Sequence, residues 1–205
     1  MNQFDPKAVD FAKMPHGLVP CIVQDERNMN ILMLGYMNEE ALAATLKTET
    51  VTFFSRSKQR LWVKGETSGN VLKLKKILAD CDQDAILVLA SPKGPTCHLG
   101  GRSCFSADEV EPFSFLGDLS SLIHERSQTL PPQSYTTSLF KAGTSRMAQK
   151  VGEEGVEVAL ASKDDDGEAF LGECADLVFH MMVLARHKGY DLSDIAALLK
   201  KRHEG

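Results

Sequence analysis

The chain has 205 residues, 43% hydrophobic and 25% charged, with a formal net charge of −5, a composition that suits a folded globular protein with room for one large core or two modest ones. No global basic field argues for nucleic acid or an anionic membrane surface as a partner, and no apolar run reaches the length of a membrane span. The first fourteen residues lack the basic-then-apolar layout of a signal peptide, and the five cysteines, at 21, 81, 97, 104 and 174, favour thiols kept for metal or chemistry in a cytoplasmic protein over disulfides.

Taken in order, the first half predicts strands. Leu18 to Val23 and Ile31 to Tyr36 are short apolar runs separated by a polar turn at Asp25 to Asn30. Asn38 is placed to cap a short helix that carries Glu39 and Glu40 in its first turn. Further strands are expected over Val51 to Ser55, Leu61 to Val63, Val71 to Leu78 and Ala85 to Ala90. Many short strands with few helices point to a largely antiparallel sheet or barrel.

Character changes near Phe113 to Asp118. From there apolar residues fall at helical spacing, as in Leu116, Leu119, Leu122 and Ile123, then Val156, Ala159 and Leu160, then Phe170, Leu171, Leu177, Val178 and Met181. Pro131-Pro132 separates two helices, Gly143 reads as a stop and Thr144 as an N-cap. Lys163 to Gly167 is a turn between two long helices, Gly189 ends the second, and Asp191 to Arg202 forms a last one. Residues 1–114 carry 13 basic and 14 acidic side chains, whereas residues 115–205 carry 10 and 14. The fold class expected is therefore an α+β domain of mostly antiparallel strands over 1–114, followed by an all-α domain over 115–205.

Two constellations carry chemistry. In Asp80-Cys81-Asp82-Gln83-Asp84, an extended backbone would set three carboxylates on one face and the thiol on the other. That arrangement offers oxygen ligands to a hard cation and sulfur to a softer one. Cys97 and Cys104 add two thiols, with His98 as a fourth candidate ligand, a proton shuttle or a group supporting the ligands. The Asp-x-Asp-x-Asp start is not a calcium loop, because the sixth and twelfth positions are Ala85 and Ser91 rather than Gly and Glu. Three thiolates leave a fourth position open for water, the pattern of a catalytic rather than a structural zinc. Cys21 and Cys174, among apolar neighbours, read as inert, and His16, His124, His180, His187 and His203 as surface or packing residues.

The second constellation lies on helices. Glu153, Glu154 and Glu157 crowd one narrow face, and Glu173 and Asp176 are three apart on the next helix. An antiparallel pairing about the Lys163–Gly167 turn brings the two sets together, where like charges repel unless a magnesium ion sits between them. Gly152 and Gly155 cost about 1 kcal/mol each relative to alanine in a helix, which suggests a close backbone or ligand approach. A solvated acidic face is the plain alternative, and the facing Glu-x-x-Asp weighs against it. Ser55-Arg56-Ser57-Lys58 and the stretch holding Trp62, Lys64, Gly65, Ser68 and Gly69 gather hydroxyls, cations and glycines that suit a phosphate.

These stretches together resemble the bifunctional histidine-biosynthesis enzymes in which phosphoribosyl-AMP cyclohydrolase is fused to phosphoribosyl-ATP pyrophosphatase. The N-terminal resemblance rests on Tyr36-Met37-Asn38, Ser55-Arg56-Ser57, Leu61-Trp62-x-Lys64-Gly65-Glu66-x-Ser68-Gly69, Asp80-Cys81-Asp82-x-Asp84 and Cys97-His98-x-Gly100-x-x-Ser103-Cys104-Phe105. The C-terminal one rests on Leu119, Tyr135-Thr136, Lys150-x-Gly152-Glu153-Glu154-x-x-Glu157 and Glu173-x-x-Asp176, and this second set is shared with other all-helical, MazG-like pyrophosphohydrolases. Gly35, Leu99 and Gly101 vary from the typical pattern.

The resemblance implies two consecutive hydrolyses. The helical domain converts phosphoribosyl-ATP to phosphoribosyl-AMP and pyrophosphate, with magnesium on Glu153, Glu154, Glu157, Glu173 and Asp176 and Lys150 neutralising phosphate charge. The N-terminal domain then adds water at C6 of the adenine ring and opens the N1–C6 bond. It implies zinc on Cys81, Cys97 and Cys104, with Cys81 from one subunit of a homodimer and the other two from its partner, and magnesium on Asp80, Asp82 and Asp84. Zinc acidifies water toward neutrality, which suits attack at an electron-poor purine carbon. Two rivals stand beside this reading: a general nucleotide pyrophosphohydrolase with a zinc-stabilised nucleotide-binding domain, and a zinc-dependent dimerisation or RNA-binding module in which Trp62, Arg56, Lys58 and Lys64 form a stacking surface.

Overall fold

A computed structural model describes residues 4–105 and 112–204. The chain divides into two compact units, Met1–Phe115 and Leu116–Gly205.

Strand β1 (Val19–Asp25) is at the centre of the first unit. It pairs antiparallel with β2 (Ile31–Met37) and parallel with β6 (Ile86–Pro92), which in turn pairs antiparallel with β5 (Leu72–Ala79), giving the order β2-β1-β6-β5. Alternation explains the core face. Val19, Cys21 and Val23 are fully buried, as are Ile86, Val88 and Ala90, and the register sets Cys21 beside Ile86 and Val23 beside Val88. The sheet is mostly antiparallel, as its short strands predict, but it is open rather than a closed barrel, and β1–β6 is a parallel pair. β1 runs two residues past the predicted strand end and takes in Asp25, which is buried and caps the turn itself, its Oδ1 accepting from the Arg27 N–H at 3.0 Å.

Helix α1 (Glu39–Thr48) starts where Asn38 predicts, the Asn38 side chain accepting from the Ala41 N–H at 2.8 Å. It buries Ala41, Leu42 and Thr45. Thr45 Oγ1 donates to the Ala41 carbonyl and accepts from the Thr52 N–H, both at 2.9 Å, which ties the helix to β3 (Thr52–Ser55). β3 and β4 (Arg60–Val63) form a separate two-stranded ribbon. Gly35 matters here because a Cβ on it would overlap the ring of Phe53.

The second unit is helical: α2 (Pro112–Thr129), α3 (Tyr135–Ala142), α4 (Thr144–Ala161), α5 (Gly167–His187) and α6 (Leu192–His203). Its core gathers Ile123, Leu139, Met147, Met182 and Val183. Helices α4 and α5 run antiparallel, since Thr144 meets His187, Glu154 meets His180 and Glu157 lies with Glu173. Thr144 is the first residue of α4 rather than its cap: Gly143, at φ +82°, takes the cap position, and the Thr144 hydroxyl bonds His187 Nε2 at 2.8 Å instead. Val156, Leu160 and Leu171, on the predicted apolar stripe, are 59, 58 and 66% exposed. Gly152 and Gly155 also face open space, so no backbone among the described residues makes the close approach their presence suggests.

Candidate active sites

The aspartate segment is a turn. β5 ends at Ala79, β6 begins at Ile86, and Gln83 adopts φ +71°, which an extended strand does not allow. The opposite-faces arrangement of Asp80, Asp82 and Asp84 against Cys81 is therefore corrected. The carboxylates converge because the hairpin closes around Asp80, whose Oδ1 accepts from the N–H groups of Asp84 (3.0 Å) and Ala85 (3.1 Å). One oxygen of each aspartate lies within 4.8 Å of the others. The Ala85 and Asp84 N–H bonds hold Asp80 below the usual carboxylate range, whereas desolvation and the charges of Asp82 and Asp80 push Asp84 up. Lys13 approaches the turn, donating to the Asp82 carbonyl, and the Asp10 N–H donates to the Gln83 carbonyl at 2.7 Å.

The thiols divide into a pair and a single group. Ser103 and Cys104 are fastened to β2, with Ser103 Oγ donating to the Ile31 carbonyl (2.6 Å) and the Cys104 N–H to that of Leu32 (2.8 Å). A tight turn holds Cys97, whose N–H donates to the Gly101 carbonyl at 2.9 Å. Desolvation and the neighbouring Cys97 push the Cys104 thiol up, while the buried Lys64 acts in the opposite sense. His98 is exposed, its Nδ1 4.0 Å from Cys97 Sγ. Cys81 is exposed on the hairpin turn, and among the described residues no group of three ligand atoms within one chain includes a thiol.

The candidate phosphate residues fall at both ends of the β3–β4 ribbon. At one end Ser55 Oγ lies 3.4 Å from Ser57 Oγ, and the Arg56 guanidinium sits 4.0 Å over the Tyr36 ring. At the other, Lys64 is buried and Gly65, at φ +87°, turns the chain so tightly that a Cβ would overlap the Asn70 backbone. Gly69 and Ser68 close that loop, Ser68 Oγ accepting from the Asn70 N–H at 3.3 Å. Trp62 packs on Phe53, ring centroids 5.7 Å apart, and a 2.6 Å ion pair between Arg60 and Glu66 bridges the two ends.

In the helical unit, one oxygen from each of Glu154, Glu157 and Glu173 falls within 4.8 Å of the others. Glu154 is only 4% exposed. It is tolerated there because Lys150, one turn earlier, pairs with its Oε1; that contact comes first in holding Glu154 low, and burial opposes it. Lys150 also lies 3.1 Å from Glu153 Oε2, and its own value is raised by both partners. Glu157, hydrogen-bonded to Glu154, is pushed up by that contact, by burial and by the charges of Glu154 and Glu173. Carboxylates crowded in this way repel one another, and a cation among them relieves that repulsion.

Glu153 turns the other way, to Gln149 Nε2 at 2.7 Å and to Arg146 at 3.7 Å, and neither it nor Asp176 falls within the 4.8 Å cluster. His180, read from sequence as a surface or packing residue, is 4% exposed with Nε2 3.7 Å from Glu154 Oε1. Its position seven residues after Glu173, two helical turns on, is the one sequence signal that could have placed it there.

Two compact units, each with a carboxylate cluster close enough to share a divalent cation, fit a chain of the metal-dependent hydrolase class. Residues 33–106 match the family model of phosphoribosyl-AMP cyclohydrolase and residues 116–203 that of phosphoribosyl-ATP pyrophosphohydrolase. The chain is 56% identical over 200 residues to the histidine biosynthesis bifunctional protein HisIE of Xanthomonas axonopodis pv. citri, covering 98% of this chain and 96% of that one. It is 53% identical over 211 residues to HisIE of Vibrio cholerae serotype O1, covering both chains in full, and 49% over 195 residues to HisIE of Bacteroides thetaiotaomicron, covering 95 and 96%. The chain belongs to the family of bifunctional histidine-biosynthesis enzymes that join phosphoribosyl-AMP cyclohydrolase and phosphoribosyl-ATP pyrophosphohydrolase.

Proposed function

We propose that residues 115–205 hydrolyse phosphoribosyl-ATP to phosphoribosyl-AMP and pyrophosphate, and that residues 1–114 then open the adenine ring of phosphoribosyl-AMP between N1 and C6. The observation that carries this reading is the carboxylate triad in each unit, three ligand oxygens within 4.8 Å in both. Each triad lies inside the segment matched by one of the two family models.

In the helical unit, Glu154, Glu157 and Glu173 are the residues to hold magnesium, with Glu153 and Asp176 beside them on the same two helices. Their mutual repulsion fits a divalent cation, which when bound offsets charge on the carboxylates and on polyphosphate oxygens. Lys150 sits on the flank of this cluster, paired with Glu153 and Glu154, where its ammonium adds positive charge for the phosphates.

In the N-terminal unit, Asp80, Asp82 and Asp84 are the residues to hold magnesium, and Cys81, Cys97 and Cys104 those to hold zinc, which when bound brings a water toward deprotonation at neutral pH. Within one chain Cys97 and Cys104 are neighbours and Cys81 is not with them, an arrangement that fits a homodimer in which the third thiolate comes from the partner. The exposed Val156, Leu160 and Leu171 favour self-association as well. His98 stands next to Cys97 to orient it or to move a proton. Ser55, Arg56, Ser57, Trp62, Lys64, Gly65, Ser68 and Gly69 bind and orient the phosphoribosyl group. Five free thiols suit a reducing compartment, and the cytoplasm is the one proposed.

The test is a spectroscopic assay of the purified chain on phosphoribosyl-ATP with magnesium, with and without a zinc chelator. Pyrophosphate release is expected to survive chelation while ring opening stops, and Glu154→Gln is expected to abolish pyrophosphate release. Cleavage of ordinary nucleoside triphosphates with no ring opening under any condition overturns the reading.

A further inference from the structure

His180 belongs to neither triad, yet it is one of the most enclosed polar side chains in the helical unit. It is 4% exposed, and its Nδ1 is buried without a hydrogen-bond partner among the described residues. Its other nitrogen, Nε2, lies 3.3 Å from the Tyr135 hydroxyl and 3.7 Å from Glu154 Oε1. Phe179 and Tyr135 fix the ring plane by edge contacts, with centroids at 5.2 and 5.8 Å.

Electrostatics selects the tautomer. With the proton on Nδ1, a buried N–H goes unpaired and a lone pair on Nε2 faces a carboxylate oxygen, which are two penalties at once. With the proton on Nε2, the N–H points between Tyr135 Oη and Glu154 Oε1, and the unpartnered atom is an acceptor only. The Lys150 ammonium pairs with the same oxygen, Oε1. Both groups therefore lie against one oxygen of Glu154, and Oε2 is the oxygen that neither of them occupies.

We propose that His180 is a positioning residue: together with Lys150 it engages Glu154 Oε1, fixes the carboxylate's rotation and so presents Oε2 to the divalent cation, while Tyr135 sets the imidazole. The proposal rests on the reading of Glu154, Glu157 and Glu173 as a cation site. Groups that orient a metal's ligands in this way change metal affinity by roughly 10- to 100-fold when removed.

The test reads Mn²⁺ binding by electron paramagnetic resonance on the full chain without substrate. An Asp82→Asn background keeps the N-terminal triad out of the titration, and the metal-free melting temperature is recorded for every variant. His180→Phe keeps a ring in the space but has no donor, and it is expected to weaken Mn²⁺ binding by roughly 10-fold or more. His180→Gln restores a donor and is expected to recover most of that loss, whatever either variant does to melting. Unchanged Mn²⁺ affinity in His180→Phe, with Glu157→Gln still abolishing binding, overturns the positioning role and leaves the cation site standing. Equal losses in the Phe and Gln variants that follow their melting temperatures make His180 a packing residue and overturn it too. If the background chain binds no Mn²⁺ that Glu157→Gln removes, the cation site itself fails, and the proposal with it.

Discussion

Lys150 pairs with Glu154 one helical turn away, and Glu154 is the most buried carboxylate of its cluster. Removing one partner of a buried ion pair leaves an uncompensated charge, at a cost of about 3–5 kcal/mol. Lys150→Ala is therefore expected to destabilise the helical unit by about 3 kcal/mol in urea denaturation with chelator present, with much of the loss recovered in millimolar magnesium. Equal losses with and without the metal refute a shared role of Lys150 and a cation in balancing Glu154.

The glycine at 35 is a packing choice. A Cβ there overlaps the Phe53 ring, which is buried and packed at a tilt against Trp62, the single tryptophan of the chain. Gly35→Ala is expected to cost about 1–3 kcal/mol through overpacking and to shift tryptophan emission as Phe53 moves. An unaltered spectrum with unaltered stability contradicts this.

The last helix depends on Asp191. Its side chain accepts from the Ser193 and Asp194 N–H groups while Asp194 answers to the Asp191 N–H, a complete capping box. The bonds from Ser193 come first in lowering its folded value, with the Arg186 ion pair adding to them. A carboxyl whose folded value lies below its unfolded value of about 3.9 stabilises the fold above that pH and loses the contribution as pH falls through the folded value. Asp191→Ala is expected to lower stability by about 1 kcal/mol at pH 7, and the difference from the unaltered chain should shrink below about pH 4. Thermal melts at the two pH values check it.

The cysteines should separate by reactivity. Burial pushes the Cys21 thiol far up, so it is expected to resist maleimide at neutral pH in the folded chain. Cys81 and Cys104 are exposed in the single chain. If zinc joins Cys81 to Cys97 and Cys104 across a dimer, these three are protected until a chelator is added and then label together. Rapid labelling of Cys81 in the metal-loaded protein sinks the shared site.

Much of the fold is legible in the chain itself. The strands expected over 18–23 and 85–90 and the helical spacing expected from about 116 onward fall within a few residues of their elements, and Asn38 announces the start of α1. The reason is range: pleat, helical pitch and capping are set by groups a few positions apart. Thr144 shows where this stops, because a contact with His187, 43 residues away, decides what its hydroxyl does.

The candidate ligand types could also be picked out directly, since clustered carboxylates and thiols carry their chemistry wherever they sit. Their arrangement could not. Asp80, Asp82 and Asp84 meet because a hairpin turn wraps its N–H groups around Asp80, not because a strand alternates. Glu173 joins Glu154 and Glu157 while Glu153 turns to Lys150 and Gln149, and His180 comes under Glu154. Those outcomes depend on how α4 seats against α5, a packing of side chains far apart in sequence, and local periodicity does not encode it.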